Sequence, residues 1–117
     1  MPQRLVLFAF ADEFGDALTN GEFQPGQYAS ERVYMTAVKL VADGSIQGYT
    51  GYLSEPYHQP FHGDAHYRGY PAIPREDLFA QVEALHRAGY QLAIHGNGDA
   101  SIEDILDAFE AAQVAYP

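Results

Sequence analysis

Three short apolar runs, each followed by a helical pattern, constrain this chain more than any other feature. The runs are "RLVLFAF" at 4–10, "RVYMTAVKLVA" at 32–42 and "YQLAIHGNGD" at 90–99. Each is short and either continuously apolar or rich in β-branched and aromatic residues, which suits a strand buried on both faces. Between and after them the period changes. Residues 12–20 place Phe14, Ala17 and Leu18 on one side and stop at Gly21. "PREDLFAQVEALHRAG" at 74–89 sets Leu78, Val82 and Leu85 at i, i+4 and i+7, with acids in the first turn and Gly89 as a stop. "IEDILDAFEAAQVA" at 102–115 follows Ser101 as a cap, with Ile102, Ile105, Leu106 and Phe109 predicted to face inward. Strands alternating with helices mean βα units and a parallel sheet, an α/β fold.

Two stretches fall outside that alternation. "GEFQPGQYAS" at 21–30 reads as a loop around Pro25 and Gly26. Residues 46–74 form a much longer one, holding five tyrosines, three histidines and four prolines with no period of 2 or 3.6. Loops of that length inside a compact domain are uncommon and are usually functional or disordered. The aromatic content opposes disorder, and the segment is predicted to be the most mobile or the least regular of the chain.

In parallel α/β folds the chemistry sits at the C-terminal ends of strands and in the loops that follow. Lys39, Asp43, the aromatic loop, His95, Asn97 and Asp99 all fall there. Lys39 lies inside an apolar run, where an ammonium without a partner is costly. Burial frees the amine, and a free amine reacts with CO2 to give a carbamate, a carboxylate-like metal ligand. Neutral histidine is the commonest metal ligand, and adjacent strands are about 4.8 Å apart, so Lys39 and His95 are candidate ligands of one metal. Plainer readings stand beside these. A lone strand lysine is commonly an edge residue or one that snorkels to the rim, and a lone histidine a hydrogen-bonded structural group. Asp43 and Asp99 suit turns beside glycine. His58, His62 and His66 are spaced by four, but Pro56, Pro60 and Gly63 forbid a continuous helix there, so they read as surface or lid residues. His86 suits a helix C-terminus.

Composition excludes several classes. Sixteen acidic and 6 basic residues give a net charge of −10, which argues against nucleic acid or an anionic membrane as partner. There is no cysteine, so disulfides and thiolate metal sites are ruled out. No apolar run approaches the ~18 residues of a membrane span, and "MPQRLVLFAFADEF" lacks a small-residue cleavage site. A cytoplasmic location is the expectation.

"AVKLVADGSIQGYTGYLSEPY", "HYRGYP" and "HRAGYQLAIHGNGDASIEDILDAFEAA" closely resemble the YtcJ-like branch of the amidohydrolase superfamily, which includes N-substituted formamide deformylase. The resemblance runs from about residue 32 to 113. It implies a (β/α)8 barrel whose metal ligands are an HxH pair after the first strand, a lysine, often carboxylated, on the fourth, histidines on the fifth and sixth and an aspartate on the eighth. Lys39 matches the fourth-strand lysine and His95 the fifth-strand histidine; no other ligand of the pattern is present. Residues 1–117 are then expected to be a partial barrel of about three βα units, with parallel strands and the long loop after the second. The implied chemistry is hydrolysis of an amide-like or cyclic C–N bond with a divalent metal, zinc, in the full-length enzyme. Asp43, Tyr49, Tyr52, Asn97 and Asp99 are the residues expected on the side of a small amide-like substrate. No catalytic residue is assigned, because the proton-shuttling aspartate has no counterpart here, and the isolated chain is expected to be inactive and Lys39 uncarboxylated. The other reading is a non-enzymatic regulatory or binding module derived from such a hydrolase. Open strand edges in three βα units predict a homo-oligomer.

Overall fold

The computed structural model describes residues 3–27 and 29–117; Met1 and Pro2 of the N-terminal stretch and Tyr28 of the 21–30 loop lie outside the described residues. The elements run β1 (Leu5–Phe10), α1 (Ala11–Thr19), β2 (Val33–Val41), α2 (Arg75–Arg87), β3 (Leu92–His95) and α3 (Asp99–Ala115). The three strands form one parallel sheet in the order β1-β2-β3. The α/β alternation read from the sequence is therefore the architecture. No helix among the described residues is long and apolar enough to cross a membrane.

β2 is central, and one of its faces anchors the core. Val38 and Leu40 are essentially inaccessible and cluster with Leu18 of α1, Leu78, Val82 and Leu85 of α2, and Ile105, Ala108 and Ala112 of α3. The predicted i, i+4, i+7 stripe of α2 is thus the stripe that is buried. A bulge sets which face of β2 does this. Leu7 pairs with Met35 but Phe8 pairs with Ala37, so Thr36 is an extra residue. Its Oγ1 is buried without a hydrogen-bond partner among the described residues. The bulge brings Met35, Val38 and Leu40 to the helix side and turns Ala37, Lys39 and Val41 to the other.

That other face carries no helix. In register across it lie Phe10, Lys39 and Ala93, then Val41 and His95. β1, at the sheet edge, is poorly covered: Leu5, Val6, Leu7, Phe8 and Phe10 remain about half exposed (47–53%).

The start of α3 differs from the sequence reading. Gly98 is the N-cap and the helix begins at Asp99, so Ser101 lies inside the helix and is buried rather than capping it. The reason is tertiary: Asp43 draws the Asn97 and Gly98 amides against the end of β2, which fixes where the chain turns into the helix. The inward face is also rotated from the expected one. Ile105 is buried and Phe109 packs on the core, but Ile102 and Leu106 are 42% and 61% exposed, and the small residues Ser101, Ala108 and Ala112 take the contact side. Small side chains allow α3 to pack closely on α2, and Arg75 of α2 ties the pair by bonding both Asp104 and Asp107.

The long loop contains no helix or strand, only an isolated bridge between Phe61 and Asp64. It is irregular as expected, yet it has a core of its own. Tyr49 lies 4.7 Å from Tyr57 and 4.9 Å from Phe61, and Tyr67 lies 4.8 Å from Phe61 and 5.8 Å from Tyr57, between ring centroids. Tyr57 Oη donates to the Gly51 carbonyl and Tyr67 Oη to that of Tyr49. Offset aromatic contacts of this kind are worth about 0.5–1.5 kcal/mol each beyond the area they bury.

An unpaired apolar edge strand is a template for another chain. We propose that the isolated chain self-associates through β1. Sedimentation equilibrium at micromolar concentration should show a species larger than the monomer, and Leu7→Lys should shift the distribution toward monomer. A cooperatively folding monomer at that concentration would exclude it.

Candidate functional site

The site is built where β2 and β3 end. Val41 pairs with His95 and Lys39 with Ala93, so Lys39 and His95 sit on neighbouring parallel strands, two residues apart in register. Pleating puts both side chains on the face that carries no helix. Lys39 is half-buried and has no hydrogen-bond or ion-pair partner among the described residues. His95 is about one-third exposed, and its Nε2 lies 2.9 Å from the Gly44 carbonyl oxygen. A carbonyl only accepts, so in the neutral ring Nε2 carries the proton and Nδ1 the lone pair.

Asp43 lies two residues past the end of β2 and is wholly buried. Its Oδ2 accepts the amides of Tyr52 and Gly98, each at 2.8 Å, and its Oδ1 the amide of Asn97 at 2.9 Å. His95 Nε2 is 3.8 Å from Oδ1. Three charge-assisted bonds offset the desolvation of this carboxylate and tie three segments together: the end of β2, the aromatic loop and the turn into α3. Where the chain crosses itself there is no room for a side chain. A Cβ at Gly98 would overlap the backbone of Tyr52, and one at Gly69, which has a φ of +73°, would overlap that of Gly51.

The other substrate-side candidates surround this clamp. Asn97 donates from Nδ2 to the Gly44 carbonyl, which therefore receives two donors. Asp99 opens α3 and accepts from both the amide and the hydroxyl of Ser54. The Ser54 hydroxyl bond, then its amide bond, hold the Asp99 carboxyl below its ordinary value. Tyr52 has the Arg68 guanidinium 5.9 Å from its ring centroid. Tyr49 stands in the loop's ring stack with a left-handed backbone, φ 56°. His58, His62 and His66 are exposed, and no three His, Cys, Asp or Glu side chains among the described residues are grouped to hold a metal. His86 Nε2 meets the Tyr116 carbonyl at 2.7 Å, far along the chain from these residues. Gly44, Thr50 and Ser54 escaped the sequence reading. Their bonds join positions 5 to 53 residues apart, and no local pattern announces them.

The donor set suits part of a metal site. An imidazole nitrogen and a lysine that can become a carbamate are a nitrogen and an oxygen ligand, two of the four a tetrahedral zinc takes. Asp43, with both oxygens engaged by backbone amides, is not available as a third.

Comparison with known proteins gives the class. Residues 7–117 match the model of the Amidohydrolase family, and the chain belongs to that family. YtcJ of Bacillus subtilis (strain 168) is 32% identical over 74 residues, 63% of this chain and 13% of YtcJ. Protein LONG AFTER FAR-RED 3 of Arabidopsis thaliana is 30% identical over 94 residues, 80% of this chain and 15% of that protein. Two crystal structures of uncharacterized metal-dependent hydrolases superpose on it. The one from Pyrococcus horikoshii OT3 has a TM-score of 0.73 at 28% identity, covering 92% of this chain and 21% of that one. The one from Pyrococcus furiosus has a TM-score of 0.75 at 25% identity, covering 94% and 22%. The chain thus spans less than a quarter of the length of each relative.

Two outcomes follow from the clamp. Asp43→Asn replaces one accepting oxygen by a donor that faces amide N–H groups, and should destabilise the fold by about 3 kcal/mol in chemical denaturation; a change below about 1 kcal/mol would mean that the carboxylate is not what joins the segments. Asp99, with its folded pKa depressed, contributes stability that is present above the ordinary carboxylate range and is lost as pH falls through its folded value. Ser54→Ala should move the Asp99 carboxyl titration upward in NMR and shrink its share of the acid limb. An unmoved titration would show that the Ser54 hydroxyl is not its main partner.

Proposed function

We propose that this chain is one part of a metal-dependent amidohydrolase acting on amide-like or cyclic C–N bonds. Lys39, carboxylated in the assembled enzyme, and His95 are two of the metal ligands, and zinc is the metal. The observation that carries this reading is their juxtaposition: an unpartnered, half-buried lysine and a histidine with a bare Nδ1, on neighbouring strands and on the sheet face free of helices. The class of the family and of its structural neighbours supports the same reading.

When bound, the metal polarises the scissile carbonyl and lowers the pKa of a water. The chain's own residues do the rest of what is assigned here. β2 and β3 set the spacing of the two ligands. The Gly44 carbonyl holds the His95 ring by its Nε2 proton, as the second partners of ligating histidines generally do. The aromatic loop, anchored at Asp43, walls the end of the sheet, where Tyr49, Tyr52, Asn97 and Asp99 frame the approach of a small amide-like substrate. The remaining ligands and the carboxylate that moves the proton are not supplied by these residues, so the chain alone is inactive. Metal and carbamate stabilise each other, so Lys39 alone stays unmodified.

A paramagnetic probe tests the ligand pair in the chain itself. Added Mn2+ should broaden the NMR signals of the His95 ring and the Lys39 side chain first, and His95→Ala should abolish the effect at Lys39. Broadening centred on His58, His62 and His66 and indifferent to His95→Ala would overturn the assignment. Intact mass in neutral buffer should show no added CO2 on Lys39 before metal is supplied.

A further inference from the structure

The peptide unit between Gly44 and Ser45 is held from both ends by groups far from it in sequence. Its carbonyl accepts from His95 Nε2 and from Asn97 Nδ2, each at 2.9 Å. Its N–H, that of Ser45, donates to Thr50 Oγ1 at 2.9 Å. One residue back, the Gly44 amide donates to the Thr50 carbonyl at 2.9 Å. Thr50 therefore grips this strand end by its side chain and its backbone, and its Oγ1 occupies the space that a Cβ at Gly44 would need.

A peptide plane flanked by glycine rotates at low steric cost. Turned over, this one would present N–H instead of C=O to His95. The ring would then have to accept at Nε2 and carry its proton on Nδ1, the opposite tautomer. The orientation of one peptide plane thus decides which ring nitrogen offers a lone pair to the open face. The ring's own mild preference for a proton on Nε2 does not by itself fix a single form. The Asp43 carboxylate, 3.8 Å from Nε2, favours the same protonated Nε2 but lies beyond direct hydrogen-bond range.

We infer that the 44–45 peptide unit is a tautomer lock for His95, and that Thr50 and Asn97 are positioning residues that hold it. Thr50 fixes the N–H end and Asn97 shares the carbonyl end. The lock holds Nδ1 bare and facing away from Gly44 before any metal arrives. The aromatic loop is coupled to the strand end through Thr50, which lies next to Tyr49 and its ring stack. This inference rests on the proposed role of His95 as a ligand, but the tautomer is a property of the metal-free chain and is measured without metal.

The test is long-range 1H–15N correlation of the histidine rings at about pH 8.5, above the ordinary imidazole pKa of about 6.5, with the His95 signals assigned by their loss in His95→Gln. The wild-type chain should show His95 as a single Nε2–H tautomer. Thr50→Val, close in shape but lacking the acceptor, should give a mixture of tautomers, and Thr50→Ser should restore the single form. Asn97→Ala should weaken the preference less than Thr50→Val. Chain folding in each variant is read from the ring-current-shifted signals of the loop's tyrosines in the same sample. A wild-type His95 protonated on Nδ1, or a Thr50→Val chain that is folded and keeps the single Nε2–H form, would overturn the lock. Adding Zn2+ then separates the two ideas. A shift at Nδ1 supports both, whereas an intact lock with no response to Zn2+ sinks the ligand reading and leaves the lock standing.

Discussion

A single carboxylate organises this chain. Asp43 is wholly buried and its two oxygens accept three backbone amides from two distant segments, at Tyr52 and at Asn97 and Gly98. Each segment left alone would have an amide directed at a buried point with nothing to receive it, a cost of about 1–3 kcal/mol per group. Together they engage both oxygens of the carboxylate and become the fixed frame in which His95, Asn97 and the first turn of α3 are placed. The aromatic loop, 29 residues without a strand or helix, is ordered by this attachment and by its own ring stack rather than by any ladder.

The second constraint is one-sidedness. All three helices share one cluster with the helix-side face of β2, and the opposite face is left with a lysine, a histidine and a row of apolar residues. A sheet covered on one face only, with an edge strand as apolar as β1, is the geometry of a piece of a closed barrel, in which both the open face and the open edge meet other strands. Ile102 and Leu106 on α3 are likewise left exposed.

Element types and order were legible because they depend on local pattern. The apolar runs near 4–10, 32–42 and 90–95 and the stripe Leu78, Val82, Leu85 gave strands and helix within a few residues of their ends. The placement of Lys39 and His95 on neighbouring parallel strands also followed from the order of the elements. The face on which Lys39 lies was not legible, because the Thr36 bulge changes the phase of β2 midway, and a bulge depends on its partner strand. Neither was the start of α3: Ser101 looks like a cap, but the Asp43 clamp sets the turn at Gly98. Asp43 itself looked like a turn residue or a contact for substrate. Its burial arises from amides 9, 54 and 55 positions away, which no window of the sequence contains.

The way the loop is anchored separates its architecture from its surface. Its ties to the rest of the chain run mainly through backbone atoms: the Tyr52 amide to Asp43, the Thr50 carbonyl to Gly44, the Ser54 amide to Asp99, the Ser101 amide to the Tyr52 carbonyl. Where backbones cross, glycines at 69 and 98 make the approach possible. Side chains that serve the frame are few, chiefly Thr50, Ser54, Tyr57 and Tyr67. Most other side chains of 46–74, including those of His58, His66 and Tyr70, are exposed. Such a loop can change the chemistry of its surface at little cost to the fold, while a substitution at Thr50 or Gly98 reaches the strand end that presents His95. In a hydrolase this would let substrate preference vary over a fixed ligand geometry, with the two functions divided between side chains and backbone of the same segment.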